Sequence, residues 1–482
     1  RPAATSSPAL TGHADGGPGH DRPETVSDLV HQVVRHLPDH LAVAEGDRQL
    51  SYAGLWDRSG ALAAVLQAAK AGPESVVGLL APRRLDTVVA LLAILRAGAA
   101  YLPLDPGLPP RRLRRLLVES GASVLVLPPA VAEPEWAHGL AVVRADASAG
   151  TRPHRVAAHR DSLACVMPTS GSTGVPKLVG VPHRGLVNYL RWSVDHYGIT
   201  AQTLAPVASS LAFDLTVTAL ISPLAGGGAV DLLPAEEPTA LGDALVRGRH
   251  TLVKLTPAHL AAVAEQLAPY GGRSGLRTVV VGGEQLHASH VRALRAVAPD
   301  ADVVNEYGPT ETVVGCCAHD VTTIPGEGPI PIGRAIAGAG VRVVDDGAEA
   351  PPGVLGELYV SGFGVTRGYL GRPADTAAAF RPDPHTHGGR RYRTGDRARR
   401  LPGGDLMFAG RADRQVKIRG HRVELGEVEH VLAAHPAVRQ AAAEAQPLPG
   451  GRLRLTVYWV AAGEQVATAA GLTAWLARRL PG

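Results

Sequence analysis

A run of small and hydroxylated residues ends in one of the chain's four lysines. It reads Thr169-Ser170-Gly171-Ser172-Thr173-Gly174-Val175-Pro176-Lys177 and follows an apolar stretch, Leu163–Met167, that is typical of a buried strand. Glycines let a backbone approach a ligand, hydroxyl and amide groups donate to phosphate oxygens, and the ammonium neutralises their charge. The pattern predicts a loop that wraps an oligophosphate. It is not a Walker P-loop, because Pro176 precedes the lysine and Leu178 follows it.

Two later segments place carboxylates in turn-forming sequence. The first, Asn305–Thr312, reads NEYGPTET. Its Glu311 can hold Mg²⁺, which prefers oxygen ligands shared with phosphates, and its Tyr307 offers a ring that can stack on a base. The second, Tyr392–Asp396, reads YRTGD and ends in an aspartate that can grip a ribose diol. Each segment alone is more typical of an ordinary turn, so their weight comes from occurring together with the phosphate loop.

The apolar pattern predicts the elements that position these segments. Through the first part of the chain, apolar runs such as Ala100–Leu104 alternate with helical stretches such as Leu85–Arg96, which favours a parallel sheet covered by helices. From about Gly326 to Phe408, short strands and Gly/Pro turns indicate a β-rich unit. A helix from Glu424 and an apolar strand then indicate a compact α+β end piece, whereas residues 1–24 lack periodicity and predict a linker.

Composition narrows the classes of function. The 482 residues are 45% hydrophobic and 19% charged, which suits two or three packed subdomains. Three cysteines, two of them adjacent, show neither a disulfide framework nor metal-ligand spacing, so a reducing, cytoplasmic location is expected. The net charge of +4 is small and the basic residues are dispersed, which argues against nucleic-acid binding. No apolar run reaches the ~18 residues of a membrane span, so no membrane association is expected.

Together, the three segments resemble the adenylate-forming superfamily and, within it, the adenylation domains of nonribosomal peptide synthetases. The resemblance runs in order from about Leu50 to the C-terminus. Its motifs are LSYAGL (Leu50–Leu55), LRAGAAYLPLDP (Leu95–Pro106), TSGSTGVPK, VPHRGLVNYL (Val181–Leu190), FDLTVT (Phe213–Thr218), NEYGPTET, GELYVSGFGVTRGYL (Gly356–Leu370), YRTGD and GRADRQVKIRGHRVELGEVE (Gly410–Glu429). It implies an α/β, adenylate-forming fold, with a large N-terminal core of helix-covered sheets and a β-rich subdomain over 25–412, and a small hinged α+β subdomain over 413–482.

The resemblance implies a two-step reaction that uses ATP, Mg²⁺ and a carrier protein. A carboxylic acid and Mg-ATP first give an acyl-adenylate and pyrophosphate. The acyl group then passes to the phosphopantetheine thiol of a peptidyl carrier protein. Because charge develops on the phosphoryl oxygens, the site must hold donors and a metal there. Some members of the family also need a small MbtH-like protein, and the sequence leaves open whether this chain does.

By motif, the resemblance assigns roles to residues of this chain. Those that would line the phosphates are Thr169, Ser170, Ser172, Thr173 and Lys177. Those that would bind the nucleoside are Asn305 and Tyr307 at the adenine and Asp396 and Arg411 at the ribose. Glu311 would ligate Mg²⁺ with Thr310 beside it, and Asp413 would be the hinge between the adenylating and thioester-forming poses.

The chain departs from the family pattern in a few places. Pro168, Leu178 and Arg397 replace the usual residues, but none of them removes a charged or donor group. The family also carries a late lysine in its C-terminal subdomain that contacts the substrate carboxylate, whereas the last lysine here is Lys417. We therefore expect a truncated C-terminal subdomain.

A substrate pocket follows from the same resemblance. In the peptide-synthetase branch, an aspartate at the position of Asp214 pairs with the substrate α-ammonium, a sensible partner because a lone buried carboxylate is costly. The other lining positions are Leu215, Thr218, Lys254, Val280, Gly282, Glu306, Val314 and Gly315. This lining is similar to pockets that select asparagine and close to those that select aspartate.

Lys254 and Glu306 are expected at the far end of the pocket from Asp214. A carboxamide satisfies both, because its NH₂ can donate to Glu306 and its carbonyl can accept from Lys254. The predicted substrate is therefore L-Asn, with L-Asp the runner-up. The alternative readings are that Asp214 caps a helix and that Lys254 is a surface strand lysine, and the resemblance disfavours both.

Two other functions remain open at this stage. One is a standalone acyl- or aryl-CoA ligase, against which Asp214 argues, since those relatives usually lack it. The other is a non-catalytic module that docks a carrier protein, against which the phosphate loop, Glu311 and Asp396 argue. Exchange of pyrophosphate into ATP across a panel of amino acids distinguishes the three.

Overall fold

We describe the protein from a computed structural model. It describes residues 25–480, apart from positions 130, 151–152, 155–157, 172–175, 235–236, 238, 271–273, 325, 419–420, 448–452 and 463–466. The predicted linker 1–24 lies outside the described residues.

Helices form where the apolar pattern predicted them. The helix Leu85–Arg96 has its predicted bounds, and Ser51 caps the helix before it by accepting from the amide of Gly54 at 3.1 Å. The helices are α1 (Val26–His36), α2 (Tyr52–Ala68), α3 (Leu85–Arg96), α4 (Pro110–Ser120), α5 (His183–His196), α6 (Thr216–Gly226), α7 (Ala240–Val246), α8 (Pro257–Leu267), α9 (Ala288–Val297), α10 (Pro373–Ala379), α11 (Leu425–Ala433) and α12 (Ala469–Ala477). No described helix is long and apolar enough to cross a lipid bilayer.

Strands alternate with these helices as far as α9 and then follow one another closely. They are β1 (Leu41–Glu45), β2 (Arg48–Ser51), β3 (Val76–Leu80), β4 (Ala100–Leu104), β5 (Val124–Leu127), β6 (Ala141–Arg144), β7 (Leu163–Thr169), β8 (Lys177–Pro182), β9 (Leu204–Val207), β10 (Ala229–Leu232), β11 (Leu252–Leu255), β12 (Thr278–Gly282), β13 (Asp302–Tyr307), β14 (Cys317–Asp320), β15 (Arg334–Ala335), β16 (Ala339–Asp345), β17 (Ala348–Glu349), β18 (Leu355–Gly362), β19 (Phe380–Pro382), β20 (Arg390–Arg400), β21 (Leu406–Arg411), β22 (Gln415–Ile418), β23 (His421–Glu424), β24 (Val438–Pro447) and β25 (Leu453–Ala461).

The strand order confirms the predicted division of the core. One sheet runs β6-β5-β3-β4-β7-β8 and is parallel except for the β7–β8 hairpin. Two more run β2-β1-β10-β9 and β11-β12-β13-β14-β15, and both contain parallel pairs. The predicted β-rich unit is the antiparallel sheet β17-β16-β18-β20-β19, with β21 paired to β20. The fold is therefore the expected α/β arrangement of helix-covered sheets beside a β-rich unit.

Strand register brings chosen side chains to one face of the sheet β11–β12–β13. Lys254 pairs with Val280, and Gly282 pairs with Glu306. Side chains alternate between faces along a strand, so these four positions share a face, together with Val304. Apolar neighbours on this face pack under α5, whereas the opposite face packs in a separate core with α8 and α9. Lys254 and Glu306 therefore point into the protein rather than into solvent.

The C-terminal unit consists of the hairpins β22–β23 and β24–β25 with helices α11 and α12. Leu425, Val428 and Leu472 are among the residues of its small apolar core. It contacts the N-terminal core through ion pairs, of which Arg112 Nη1 to Glu427 Oε1 measures 2.8 Å. The unit is thus the predicted α+β end piece.

Candidate active site

Strands β11 and β13 hold an ion pair inside the protein. The Lys254 ammonium contacts Glu306 Oε1, and each side chain is only 2% exposed. A buried pair of this kind is tolerated only when both charges are satisfied where they stand. The reading of Lys254 as a surface strand lysine is therefore wrong. The predicted distal residues contact each other directly in this structure.

The second oxygen of Glu306 accepts two phenol hydroxyls. Tyr197 donates to Oε2, and Tyr189 donates to the same atom at 2.9 Å. Tyr189 also shares a 2.6 Å hydrogen bond with Thr218 Oγ1. Burial, followed by the negative charge of Glu306, holds the pKa of both phenols well above the usual range, so both keep their protons at neutral pH.

Two predicted glycines make room beside this pair. A Cβ atom at Gly282 would lie 3.2 Å from Lys254 Nζ, and one at Gly315 would lie 2.6 Å from Glu306 Cδ. The second distance is closer than two non-bonded carbons can approach, so a side chain at 315 would displace Glu306. The bare backbone at both positions therefore forms part of the wall around the charges.

Two further predicted lining residues join this pair. Thr218 is fully buried in α6 and shares a hydrogen bond with Tyr189, whereas Leu215 is half-buried at the start of that helix. Val280 is buried beside Lys254 and packs in a cluster that includes Tyr197. Described contacts thus connect Thr218 and Val280 to the pair Lys254–Glu306.

The loop between β13 and β14 is strained. Val313 has φ +62° and Val314 has φ +58°, both in the left-handed region that branched side chains avoid. Each such residue costs about 1–3 kcal/mol, which the surrounding structure must offset. The strained pair lies between Glu311 and Gly315.

Asp214 makes no described contact with Lys254 or Glu306. Burial raises the pKa of Asp214, with the Thr310 side chain and the more distant charge of Lys417 opposing that rise. Since α6 has no side-chain cap, the reading of Asp214 as a helix cap fails.

The described part of the predicted phosphate loop belongs to the β7–β8 hairpin. Thr169 pairs with Lys177, and its hydroxyl donates to the Lys177 carbonyl at 3.4 Å. The buried Ser170 hydroxyl has no partner among the described residues. The Lys177 ammonium lies 4.7 Å from the centre of the Tyr369 ring, a cation–π contact. Ser172 and Thr173 lie outside the described residues.

Glu311 is fully buried and is held by a residue of the C-terminal unit. Arg422 Nη1, on β23, donates to both carboxylate oxygens at 2.9 Å, and the Tyr369 hydroxyl donates to Oε1 at 2.8 Å. Burial alone raises the pKa of Glu311, but the Arg422 guanidinium outweighs it and holds that pKa below its usual value. The carboxylate is therefore ionised, with an arginine where the predicted cation would bind.

The predicted nucleoside residues form a chain of charged contacts. The Tyr307 hydroxyl and Arg411 Nη1 both donate to Asp396. Arg411 also grips Asp413 with two hydrogen bonds, at 2.7 and 2.8 Å. Asn305 does not join them, because its amide donates to the Pro331 carbonyl at 2.7 Å. The structure thus links the predicted ribose-binding aspartate directly to the predicted hinge.

The donors around Glu311 fit a magnesium–phosphate ligand. No three His, Cys, Asp or Glu side chains converge as a metal cage in the described part of the chain. Mg²⁺ commonly binds through one or two carboxylates plus substrate phosphates, so a single glutamate suffices. Arg422 Nε and Thr366 Oγ1 are buried without a described partner, and the Thr366 amide donates to the Glu311 carbonyl at 3.1 Å. These unpaired donors suit phosphate oxygens.

Five residues of this site had no role in the sequence analysis. They are Tyr189, Tyr197, Thr366, Tyr369 and Arg422. All but Tyr197 lie inside the quoted motifs, so position in a motif was a signal for them. Tyr197 lies outside every motif, and only its placement after the amphipathic stretch of α5 hinted at burial.

Comparison with known proteins agrees with this geometry. Residues 30–370 match the family model described as AMP-binding enzyme. Bacitracin synthase 3 of Bacillus licheniformis is 36% identical over 468 residues, which cover 95% of this chain and 7% of that protein. Phosphinothricin tripeptide synthetase PhsC of Streptomyces viridochromogenes is 39% identical over 489 residues, covering 96% and 43%. The chain therefore spans less than half the length of these relatives.

Solved structures give the same fold. NpsA-ThdA, an artificially fused adenylation–PCP di-domain from Klebsiella oxytoca, has a TM-score of 0.85 at 24% identity, covering 95% of this chain and 91% of that one. Holo-PA1221, a protein containing adenylation and PCP domains bound to a vinylsulfonamide inhibitor, has a TM-score of 0.85 at 29% identity, covering 95% and 79%. Both alignments extend over nearly all of this chain.

Proposed function

Because this chain belongs to the AMP-binding enzymes, we propose that it activates L-asparagine as aminoacyl-AMP for transfer to a carrier-protein phosphopantetheine thiol. ATP and Mg²⁺ are the proposed nucleotide substrate and metal. The observation that supports asparagine as the substrate is the buried pair Lys254–Glu306 on one face of the sheet β11–β12–β13. L-Asp is the second candidate, since its side-chain carboxylate could pair with the Lys254 ammonium.

An amino acid, rather than a plain carboxylic acid, suits Asp214. Its pKa is raised by burial, so an ammonium ligand would restore the balance of charge. The Thr310 side chain opposes that rise, and Thr310 precedes Glu311, the proposed metal ligand, in the sequence. A CoA ligase for plain acids has no use for this aspartate, which weighs against that alternative.

The hydrogen-bonding capacity of the distal pair favours a carboxamide. Lys254 has three protons, and Glu306 is its acceptor among the described residues. Glu306 Oε1 accepts one bond and keeps a second acceptor site, beside the free protons of Lys254. A carboxamide offers one acceptor and one donor to that edge, whereas an aspartate side chain would place a like charge against Glu306.

The residues of the nucleotide end would then orient ATP and neutralise the charge of its phosphates. Lys177, Ser170 and the unpaired Thr366 hydroxyl would bind phosphate oxygens, and Glu311 would hold the metal. Bound there, Mg²⁺ supplies neutralisation of the charge that develops on the phosphoryl oxygens. Asp396 would accept the ribose hydroxyls once Tyr307 or Arg411 released one of its oxygens.

The carrier-protein step suits the position of the C-terminal hairpin. Arg422 covers Glu311 in this structure, and the metal would have to displace it. We therefore assign the observed pose to the stage after pyrophosphate leaves. Docking of a peptidyl carrier protein is part of the proposal, supported by the adenylation–PCP architecture of the structural relatives.

Pyrophosphate exchange tests the proposal. The protein is assayed with Asn, Asp, Gln and Leu at equal concentrations and saturating Mg-ATP. The fastest exchange should occur with Asn, followed by Asp. Leu should be rejected most strongly, because it leaves both distal charges unpaired with the ligand. A higher rate with Asp than with Asn would overturn the choice of substrate, and exchange with none of twenty amino acids would overturn the activity.

A further inference from the structure

The two phenols at the far end of the pocket have no assigned role. Both rings are buried, and both hydroxyls reach the same oxygen of Glu306. Resting on the proposed function, we propose that Tyr197 and Tyr189 are positioning residues for substrate selection. They act through Glu306 by fixing which of its oxygens the substrate meets.

The number of acceptor positions on the Glu306 carboxylate explains why two phenol donors matter. A carboxylate has about four acceptor positions, two on each oxygen. Tyr189 and Tyr197 fill those on Oε2, and Lys254 takes one on Oε1. One acceptor position therefore remains, adjacent to the ammonium. The Lys254 ammonium and this position on Glu306 Oε1 therefore offer one donor and one acceptor side by side, which a carboxamide matches.

Without the phenols, the carboxylate would have no fixed orientation. The terminal torsion of glutamate is broad and roughly two-fold, so rotation exchanges its oxygens unless hydrogen bonds prevent it. Loss of one donor would open a second acceptor position on Oε2. That change lowers the advantage of Asn over Asp.

Thr218, on helix α6, belongs to the same hydrogen-bond network. Its hydroxyl shares a 2.6 Å bond with the Tyr189 hydroxyl, and when Tyr189 donates to Glu306, Thr218 must be the donor to Tyr189. Thr218 therefore donates to Tyr189, which donates to Glu306, so the two hydrogen bonds point in the same direction along the chain of three groups. A pocket residue on α6 is coupled in this way to the charge on β13.

The test compares Tyr197→Phe with a matched control. Tyr52 is another fully buried tyrosine, and its hydroxyl donates to the Gly228 carbonyl at 2.6 Å, away from Glu306. Tyr197→Phe should lower the Asn-to-Asp ratio of kcat/KM about tenfold, as expected for one hydrogen bond to a charged group. Most of the change should be in KM. Tyr52→Phe should lower the Tm and leave the ratio unchanged.

A double-mutant cycle separates positioning from general damage. On a Glu306→Ala background, Tyr197→Phe should no longer change the ratio, because its target is gone. Equal effects of Tyr197→Phe with and without Glu306, or an equal loss for Asn, Asp and Gln, would overturn the proposal. If the wild type prefers Asp, the substrate proposal fails, but a ratio shift that depends on Glu306 still supports positioning by Tyr197. Tyr189→Phe gives an independent variant for the same cycle.

Discussion

The two ends of the site treat their carboxylates differently. At the distal end, every described partner of Glu306 comes from the N-terminal core: Lys254, Tyr189 and Tyr197. At the predicted nucleotide end, Glu311 is held by Tyr369 of the N-terminal core and by Arg422 of the C-terminal unit. One carboxylate thus has described partners from the core alone, whereas the other also has a cationic partner from the unit that the predicted hinge would move.

This difference separates selection from turnover. Specificity needs groups held in one geometry whether or not substrate is present, which a network inside one packed core provides. Under the proposed function, the nucleotide end must instead accept a metal and phosphates and later release them. A protein cation that replaces the metal would keep the buried Glu311 charge compensated between these states.

The largest effect is expected from breaking the distal pair. Lys254→Met leaves a buried, ionised Glu306 without its cation, which should lower the free energy of unfolding by about 3–5 kcal/mol. Urea denaturation measures this. The matched control is Lys177→Met at the nucleotide end, where only a cation–π contact is lost, and about 1 kcal/mol is expected.

A second variant distinguishes charge from packing at the same place. Lys254→Met combined with Glu306→Leu removes both charges and should recover most of the lost stability. Exchange with Asn should stay absent in the double variant. Wild-type stability of the single variant would mean that the pair is not sealed from water, and the comparison of the two ends would fail.

The next effect concerns Asp214, between the two ends. Asp214→Ala should lower kcat/KM for Asn by about 10²–10³, as for loss of one electrostatic contact to the reacting substrate. Nucleotide affinity should change little, because the predicted nucleotide contacts are other residues. Fluorescence titration with an ATP analogue checks the second point. An equal loss of nucleotide affinity would assign Asp214 to the nucleotide end instead.

Sequence reasoning predicted local structure better than the contacts between distant segments. The α3 and β4 bounds followed from continuous apolar runs, and the structure buries Leu85–Leu95 and Ala100–Leu104 throughout. The pairing of Tyr197 with Glu306 spans 109 residues and depends on how α5 packs on a sheet. No local pattern encodes that packing.

The resemblance supplied what periodicity did not, and it too had a limit. It placed Lys254 and Glu306 in one pocket, although strand signals alone allowed Lys254 to face solvent. It described Glu311 only with its metal, because a motif records the ligand and not the residue that replaces it. The contact of Arg422 with Glu311 could be found only from the fold, since the two residues lie 111 positions apart.

A smaller effect is expected from freeing the metal ligand. Arg422→Gln removes the cation that competes for Glu311, so the Mg²⁺ concentration for half-maximal nucleotide binding should fall about tenfold, the value of a charged hydrogen bond. Equilibrium binding of a fluorescent ATP analogue across a Mg²⁺ titration measures it. Arg112→Gln removes another ion pair between core and C-terminal unit, at Glu427, and should leave the Mg²⁺ midpoint unchanged. An unchanged midpoint in Arg422→Gln would show that the arginine does not compete.

The smallest effect is expected at the hinge, where the contact is partly in water. Although burial raises the pKa of Asp413, its bonds to Arg411 outweigh this and lower that pKa below its usual value. A depressed carboxylate pKa adds stability above the unfolded-state pKa of about 3.9, and this stability is lost as the pH falls through the folded pKa. The Asp413 side chain is 49% exposed, so solvent screening limits its contribution to about 1 kcal/mol or less.

Asp413→Asn should therefore lower the Tm slightly at pH 7, and the difference from wild type should shrink as the pH falls below about 4. Thermal unfolding from pH 7 to 3 measures this, and a difference independent of pH would show that packing, rather than charge, holds Asp413 to Arg411.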